Sequence, residues 1–181
     1  PKIIVKYLQE LAESINYLGS VLMRREDHCN PHVFYYRIRP FLAGWKGMSD
    51  VGLSKDGVLY GNESSRRLYA GGSNARSSLI QYLDILLNVE HFATGERKID
   101  GLKEVQAQGL KNSFMNDMRN YMPGRHLDFL QALQESANIK QYVTVHDDIP
   151  ELVLAYDACL AMLKSFRDKH IQIVTRYVVL Q

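Results

Sequence analysis

The sequence predicts an all-α domain, on three observations. Apolar residues recur at three- and four-residue spacing through most of the chain, the pattern of amphipathic helices packed on one another. Proline and glycine punctuate that pattern where it breaks, as at Met122-Pro123-Gly124. At 181 residues the chain buries roughly 70% of the surface its unfolded form exposes, so a core forms without disulfide or metal staples. Residues 1–181 are therefore read as a single domain.

The first helix is expected from about Val5 to Arg25, with Tyr7, Leu8, Leu11, Ile15, Leu18, Leu22 and Met23 as its buried stripe. Asp27 to Pro31 breaks it. Pro31 to Trp45 starts a second helix, since proline is tolerated in a first turn, and Pro40 should bend or interrupt it. Residues 46–72 shift to Gly, Ser, Asp and Asn and read as loop with a small hairpin about Gly57 to Gly61. Ser73 to Phe92 is a strongly apolar, central helix, followed by helices over Leu102–Tyr121 and Gly124–Ser136. Asn138 to His146 fits no single pattern. The last helix has the clearest start: Asp148 as cap, Pro150 in the first turn and Glu151 beside it. Continued to about Tyr177, it spans roughly 45 Å at 1.5 Å per residue.

Composition excludes several classes. With 46% hydrophobic and 23% charged residues, the chain is neither disordered nor fibrous. The net charge of +2 arises from interspersed charges, with no basic tract longer than a pair such as Arg66-Arg67, so no nucleic-acid partner is expected. No run of 18 apolar residues and no leader pattern is present, so no membrane association is expected. Cys29 and Cys159 stand far apart without a Cys-x-x-Cys motif, which suits a reducing, cytoplasmic setting. The chain opens on Pro1-Lys2-Ile3 rather than Met and closes on the apolar run Val178 to Gln181, the ends expected of a fragment or a processed chain.

Three groups of residues carry chemical possibilities, each with a plainer alternative. The last helix bears a stripe through Leu152, Tyr156, Cys159, Leu163, Phe166, His170, Ile173 and Tyr177. His170 on that face is either a core histidine bonded to a neighbour or a neutral imidazole offered to a metal or haem iron. Tyr35 and Arg39 share one helical face, where they are either core and solvated surface or a seat for an aromatic amino acid, ring on ring and guanidinium on carboxylate. Gly71-Gly72-Ser73 is either a simple helix start or a backbone cradle for an anion. His32, His91, His126 and His146 fall in or beside loops and helix ends and read as solvated. Dinucleotide, P-loop, hydrolase-elbow and zinc-protease motifs are missing, and without Cys-x-x-Cys-His any haem is held non-covalently.

Four ordered blocks, FYYRIRPFLAGWKG (34–47), GGSNARSSLIQYLDILL (71–87), MRNYMP (118–123) and AYDACLAMLKSFRDKHIQIVTRY (155–177), resemble the indoleamine 2,3-dioxygenase family. The resemblance covers that family's large C-terminal haem domain. The family's N-terminal small domain, its first distal-pocket helices and a Gly/Thr-rich loop lie outside the matched blocks. It implies an enzyme that opens the indole ring of L-tryptophan, or a related indoleamine, with O₂ to give N-formylkynurenine, the first step of the kynurenine pathway. The cofactor implied is haem b, ferrous in the active form and kept reduced by an electron donor, in a monomeric protein. A non-catalytic O₂-binding haem protein of the same fold is the alternative.

On the same resemblance, His170 is the proximal iron ligand, in the block R-x-x-H-x-Q-I-V-T-x-Y. Arg39 receives the substrate carboxylate, Phe34 and Tyr35 line the distal pocket, and Leu42 follows on the same helix. Gly71, Gly72 and Ser73 lie by the haem edge and the substrate's ammonium end, with Ser73 and Arg39 as catalytic positions. Arg167 serves the cofactor side and pairs with Asp84. Tyr35 puts a hydroxyl where many relatives have phenylalanine, and Asn74-Ala75-Arg76 adds a cation near the pocket or a haem propionate.

Overall fold

The structure, a computed structural model, describes residues 1–42, 44–46, 49, 52–72, 76–89 and 118–179. As expected these are helical, and their only β feature is an isolated antiparallel bridge between Val58 and Arg67. The chain forms two compact units, Pro1–Gly72 with Pro150–Gln181, and Ser73–Ile149.

The first unit is built on two long helices, α1 (Lys2–Met23) and the last helix (Pro150–Val174). They run side by side in the same direction. The Cys159 thiol donates to the Leu8 carbonyl at 3.0 Å, Lys169 lies over Gly19, and the Tyr177 hydroxyl reaches the Cys29 carbonyl at 2.7 Å. Val5, Leu8, Ala12, Ile15 and Gly19 form the buried stripe of α1, facing Leu152, Ala155, Tyr156, Cys159 and Leu163. Fully burying side chains such as Leu152 and Leu163 stabilises by about 1.5–3 kcal/mol each. The stripe is rotated from the expected one, leaving Tyr7 63% exposed. Its small members Ala12 and Gly19 let the helices approach, and hydropathy does not flag them.

After α1 come a single turn, α2 (Arg25–His28), and a restart at α3 (Pro31–Val33), where the Asn30 side chain accepts from the Val33 N–H at 3.2 Å. The expected Pro31–Trp45 helix is interrupted as Pro40 requires. Phe34–Ile38 widens into a π-turn, closed by the Arg39 N–H on the Phe34 carbonyl, before α4 (Arg39–Leu42). Widening relieves the clash between the proline ring and the preceding turn. The helix ends at Leu42, short of Trp45.

In the second unit α5 spans Ser78–Leu86, α6 Gly124–Ser136 and α7 Ile139–Val145. Thus α6 matches its expected bounds, and the ambiguous 138–146 segment is helical. The expected start of α5 at Ser73 moves to Ser78, after an extended Ser77. Arg119 ties this unit through Gln81 (2.8 Å) and Gln134 (3.2 Å), and Tyr82 stacks on Phe129. The expected helix over 102–121 falls, save for its end, outside the described residues, as do Ser73, Asn74, Ala75 and His91. The last helix, here α8, is Pro150–Val174 and continues through a π-turn, Thr175–Val179.

Candidate functional site

The site residues of the first unit gather where α1, α2 and the 34–42 segment meet the end of α8. Tyr177 is its anchor, 1% exposed and bonded to the Cys29 carbonyl. Phe34 meets the Tyr177 ring edge-on at 5.8 Å. The Arg25 guanidinium lies 4.1 Å from the centre of the Phe34 ring and 4.9 Å from that of Tyr177. Each such contact contributes about 0.5–2 kcal/mol, more as water is excluded.

His170 lies in the last turns of α8, ahead of Tyr177 in the following π-turn, and is half-buried. Burial, and then the positive charge of Arg25, hold its imidazole below the usual histidine range. The ring is therefore neutral at physiological pH, with a lone pair on one nitrogen. Among the described residues no group of three His, Cys, Asp or Glu side chains is placed to hold a metal. A half-buried neutral imidazole is the kind of single protein donor that a metal already held by a macrocycle would take. The donor chemistry thus fits haem. Arg25 carries none of the signals that single out His170 or Arg39: it stands in a basic pair at a helix end and meets its partners only through the fold.

The substrate-side residues are placed by the 34–42 segment. Arg39 holds its guanidinium 4.9 Å over the Tyr35 ring, so the two share a face as the spacing predicts. Both Arg39 and Leu42 are exposed. The Gly72 N–H donates to the Leu42 carbonyl at 2.7 Å, bringing together two predicted site residues from either end of the 44–72 loop. A Cβ on Gly72 would meet only Leu42, at ordinary distance. Arg167 is half-buried on α8, one turn before His170. In the second unit Asp84 is buried, and Arg76 lies 4.3 Å over the Tyr121 ring. Of the histidines expected to be solvated, His32 and His126 are exposed, whereas His146 is half-buried, stacked on the Tyr142 ring and bonded to the Tyr142 carbonyl at 2.9 Å. Cys29 and Cys159 are both free. Among the described residues no helix is long and apolar enough to cross a membrane.

Comparison with known proteins gives one family. The model described as indoleamine 2,3-dioxygenase matches residues 1–181. The chain is 45% identical over 177 residues to the indoleamine 2,3-dioxygenase of Saccharomyces cerevisiae, covering 98% of this chain and 37% of that protein. It is 34% identical over 169 residues to a 6-hydroxytryptophan 2,3-dioxygenase of Fusarium equiseti, covering 92% and 37%. With indoleamine 2,3-dioxygenase 1 of Rattus norvegicus it shares 31% over 182 residues, covering 99% and 40%. The chain thus spans well under half the length of these curated relatives.

Proposed function

This chain belongs to the indoleamine 2,3-dioxygenase family, and we propose that it is the haem-carrying part of an enzyme that opens the indole ring of L-tryptophan, or a related indoleamine, to N-formylkynurenine. The observation that supports this most is the half-buried, neutral imidazole of His170 beside the charge of Arg25, whose guanidinium lies over the rings of Phe34 and Tyr177. Haem b in its ferrous form supplies, when bound, the activation of O₂ that adds both oxygen atoms across the indole C2–C3 bond. Residues 1–181 act as one haem domain in this reading. The protein is a cytoplasmic monomer, a setting that the free thiols of Cys29 and Cys159 suit, and an electron donor keeps the iron reduced.

The chain's own residues divide the remaining work. His170 ligates the iron, and burial keeps its nitrogen unprotonated for that purpose. Arg167 serves the cofactor from the preceding turn of α8. Arg39 takes the substrate carboxylate in a two-pronged bond, its fork ordered in advance over the Tyr35 ring. Phe34, Tyr35 and Leu42 contact the indole and exclude water. Gly71, Gly72 and Ser73 face the ammonium end. No side-chain acid or base is assigned to the reaction, so positioning is what the protein adds.

The test is conversion of L-tryptophan by the reduced, haem-loaded full-length protein, followed by product analysis. N-formylkynurenine is expected. Arg39→Ala should weaken tryptophan binding by ~10–100-fold, the worth of about 1.5–3 kcal/mol for hydrogen bonds to a charged group. Reversible O₂ binding indifferent to tryptophan, with no product, would replace the enzyme by an oxygen carrier.

A further inference from the structure

The 44–72 segment enters the family motifs only at its ends, yet its described residues, 44–46, 49 and 52–72, are joined by backbone and side-chain bonds. Trp45 and Lys46 both donate their backbone N–H groups to the Tyr69 carbonyl, at 2.7 and 3.1 Å. One carbonyl oxygen accepts both, since it carries two lone pairs. Directly beyond this neck, Gly72 N–H reaches Leu42. Inside the loop, Val58 and Arg67 exchange two backbone bonds of 2.9 Å, and the Trp45 indole N–H donates to the Tyr60 hydroxyl at 2.6 Å. Tyr60 in turn meets Tyr69 edge-on. Arg67 is bonded to both Glu63 oxygens and to the Tyr69 hydroxyl.

Inside the loop Gly57 has no room for a Cβ against the Arg67 carbonyl, and at the neck the same holds for Gly44. A Cβ at Gly44 would overlap the Tyr69 carbonyl oxygen and the backbone of Ala70 and Gly71. These are backbone atoms, which cannot swing aside as a flexible side-chain end does, so the two strands of the neck would have to part.

We propose that the neck joining residues 44–46 to 69–72 fixes the Gly71-Gly72 backbone against Leu42, and that Gly44 and Trp45 are positioning residues for substrate binding. The proposal rests on the reading of Gly71 and Gly72 as the edge facing the substrate's ammonium end. Neither Gly44 nor Trp45 is assigned a contact with substrate or haem, so their effect is exerted through Gly72 and Leu42. The loop edge thus sets how tightly tryptophan is held, while iron ligation by His170 is untouched.

The experiment uses the full-length protein in three forms: wild type, Gly44→Ala and Trp45→Phe. Amide hydrogen exchange at Gly72 reads the neck directly. Tryptophan kinetics and the haem absorption band read its consequence. In Gly44→Ala, Gly72 should exchange at least about tenfold faster and the KM for L-tryptophan should rise by about tenfold or more, with kcat within about threefold and the haem band unchanged. Trp45→Phe keeps the ring but loses the bond to Tyr60, and should shift both readouts the same way by roughly two- to fivefold. It decides the matter should Gly44→Ala not fold. Unchanged Gly72 exchange in the folded variants would overturn the proposal, as would faster exchange with an unchanged KM. A wild-type protein that does not turn over tryptophan refutes the functional reading instead, and the exchange comparison still shows whether the neck holds Gly72.

Discussion

The first unit holds its shape in two unlike ways. The α1–α8 pair is fixed by burial: Leu8, Ile15, Leu152 and Leu163 are almost wholly removed from water. The 44–72 loop is fixed by directed bonds among half-buried and exposed residues, and by glycines where a side chain would collide. Burial is nearly proportional to area and forgiving of detail, whereas a hydrogen-bonded neck is local and fails at single atoms. The proposed iron ligand, His170, stands on the first kind of structure, and the proposed glycine edge hangs on the second.

The largest effect that separates the two regions is expected from Leu163→Ala. Removing this fully buried side chain should cost about 2–5 kcal/mol in denaturant unfolding. The Gly72 amide, which opens locally, should keep its native exchange rate; loss of protection there would mean that loop and helix pair are one cooperative structure.

An intermediate effect concerns Cys159. Burial raises its thiol from 9.0 to about 11, against a smaller opposing contribution from the Ala12 backbone. The unfolded thiol therefore ionises first as pH rises. Stability held below pH 9.0 should be lost progressively towards about 11, by on the order of 1–2 kcal/mol. Cys159→Ala should remove that part of the dependence, which unfolding curves at stepped alkaline pH would show. Its thiol should also resist alkylation in the folded protein, while half-buried Cys29 reacts faster. The smallest effect is expected from Glu63→Gln. Its paired contact with Arg67 is exposed and should contribute only ~0–1 kcal/mol, because the loop's backbone bonds remain. A larger loss would mean that the charged pair, and not the neck, holds the loop.

The same contrast explains what was legible in the sequence. The starts of α6 and α8 are written in local chemistry, Pro123 directly before the first and Pro150 at the first position of the second, which begins two residues after the expected cap Asp148. The stripe of α8 follows from periodicity, as does the shared face of Tyr35 and Arg39. The stripe of α1 was misplaced onto Tyr7 because Ala12 and Gly19 pack by being small, a quality that apolar spacing does not register. The π-turn at Phe34–Ile38 reflects a local clash whose remedy Pro40 alone does not specify. Arg25 and the loop neck were invisible for a deeper reason. Arg25 acquires its role mainly from Tyr177 and His170, which lie far along the chain, and the neck is made of backbone groups that every residue carries.

The central claim is that His170 is the protein's ligand to haem iron, and the optical spectrum of the reduced full-length protein tests it most directly. Wild-type protein should show a haem band that shifts when L-tryptophan is added, and in His170→Ala that band should be altered or lost unless imidazole is supplied. An unchanged spectrum in His170→Ala would contradict the account.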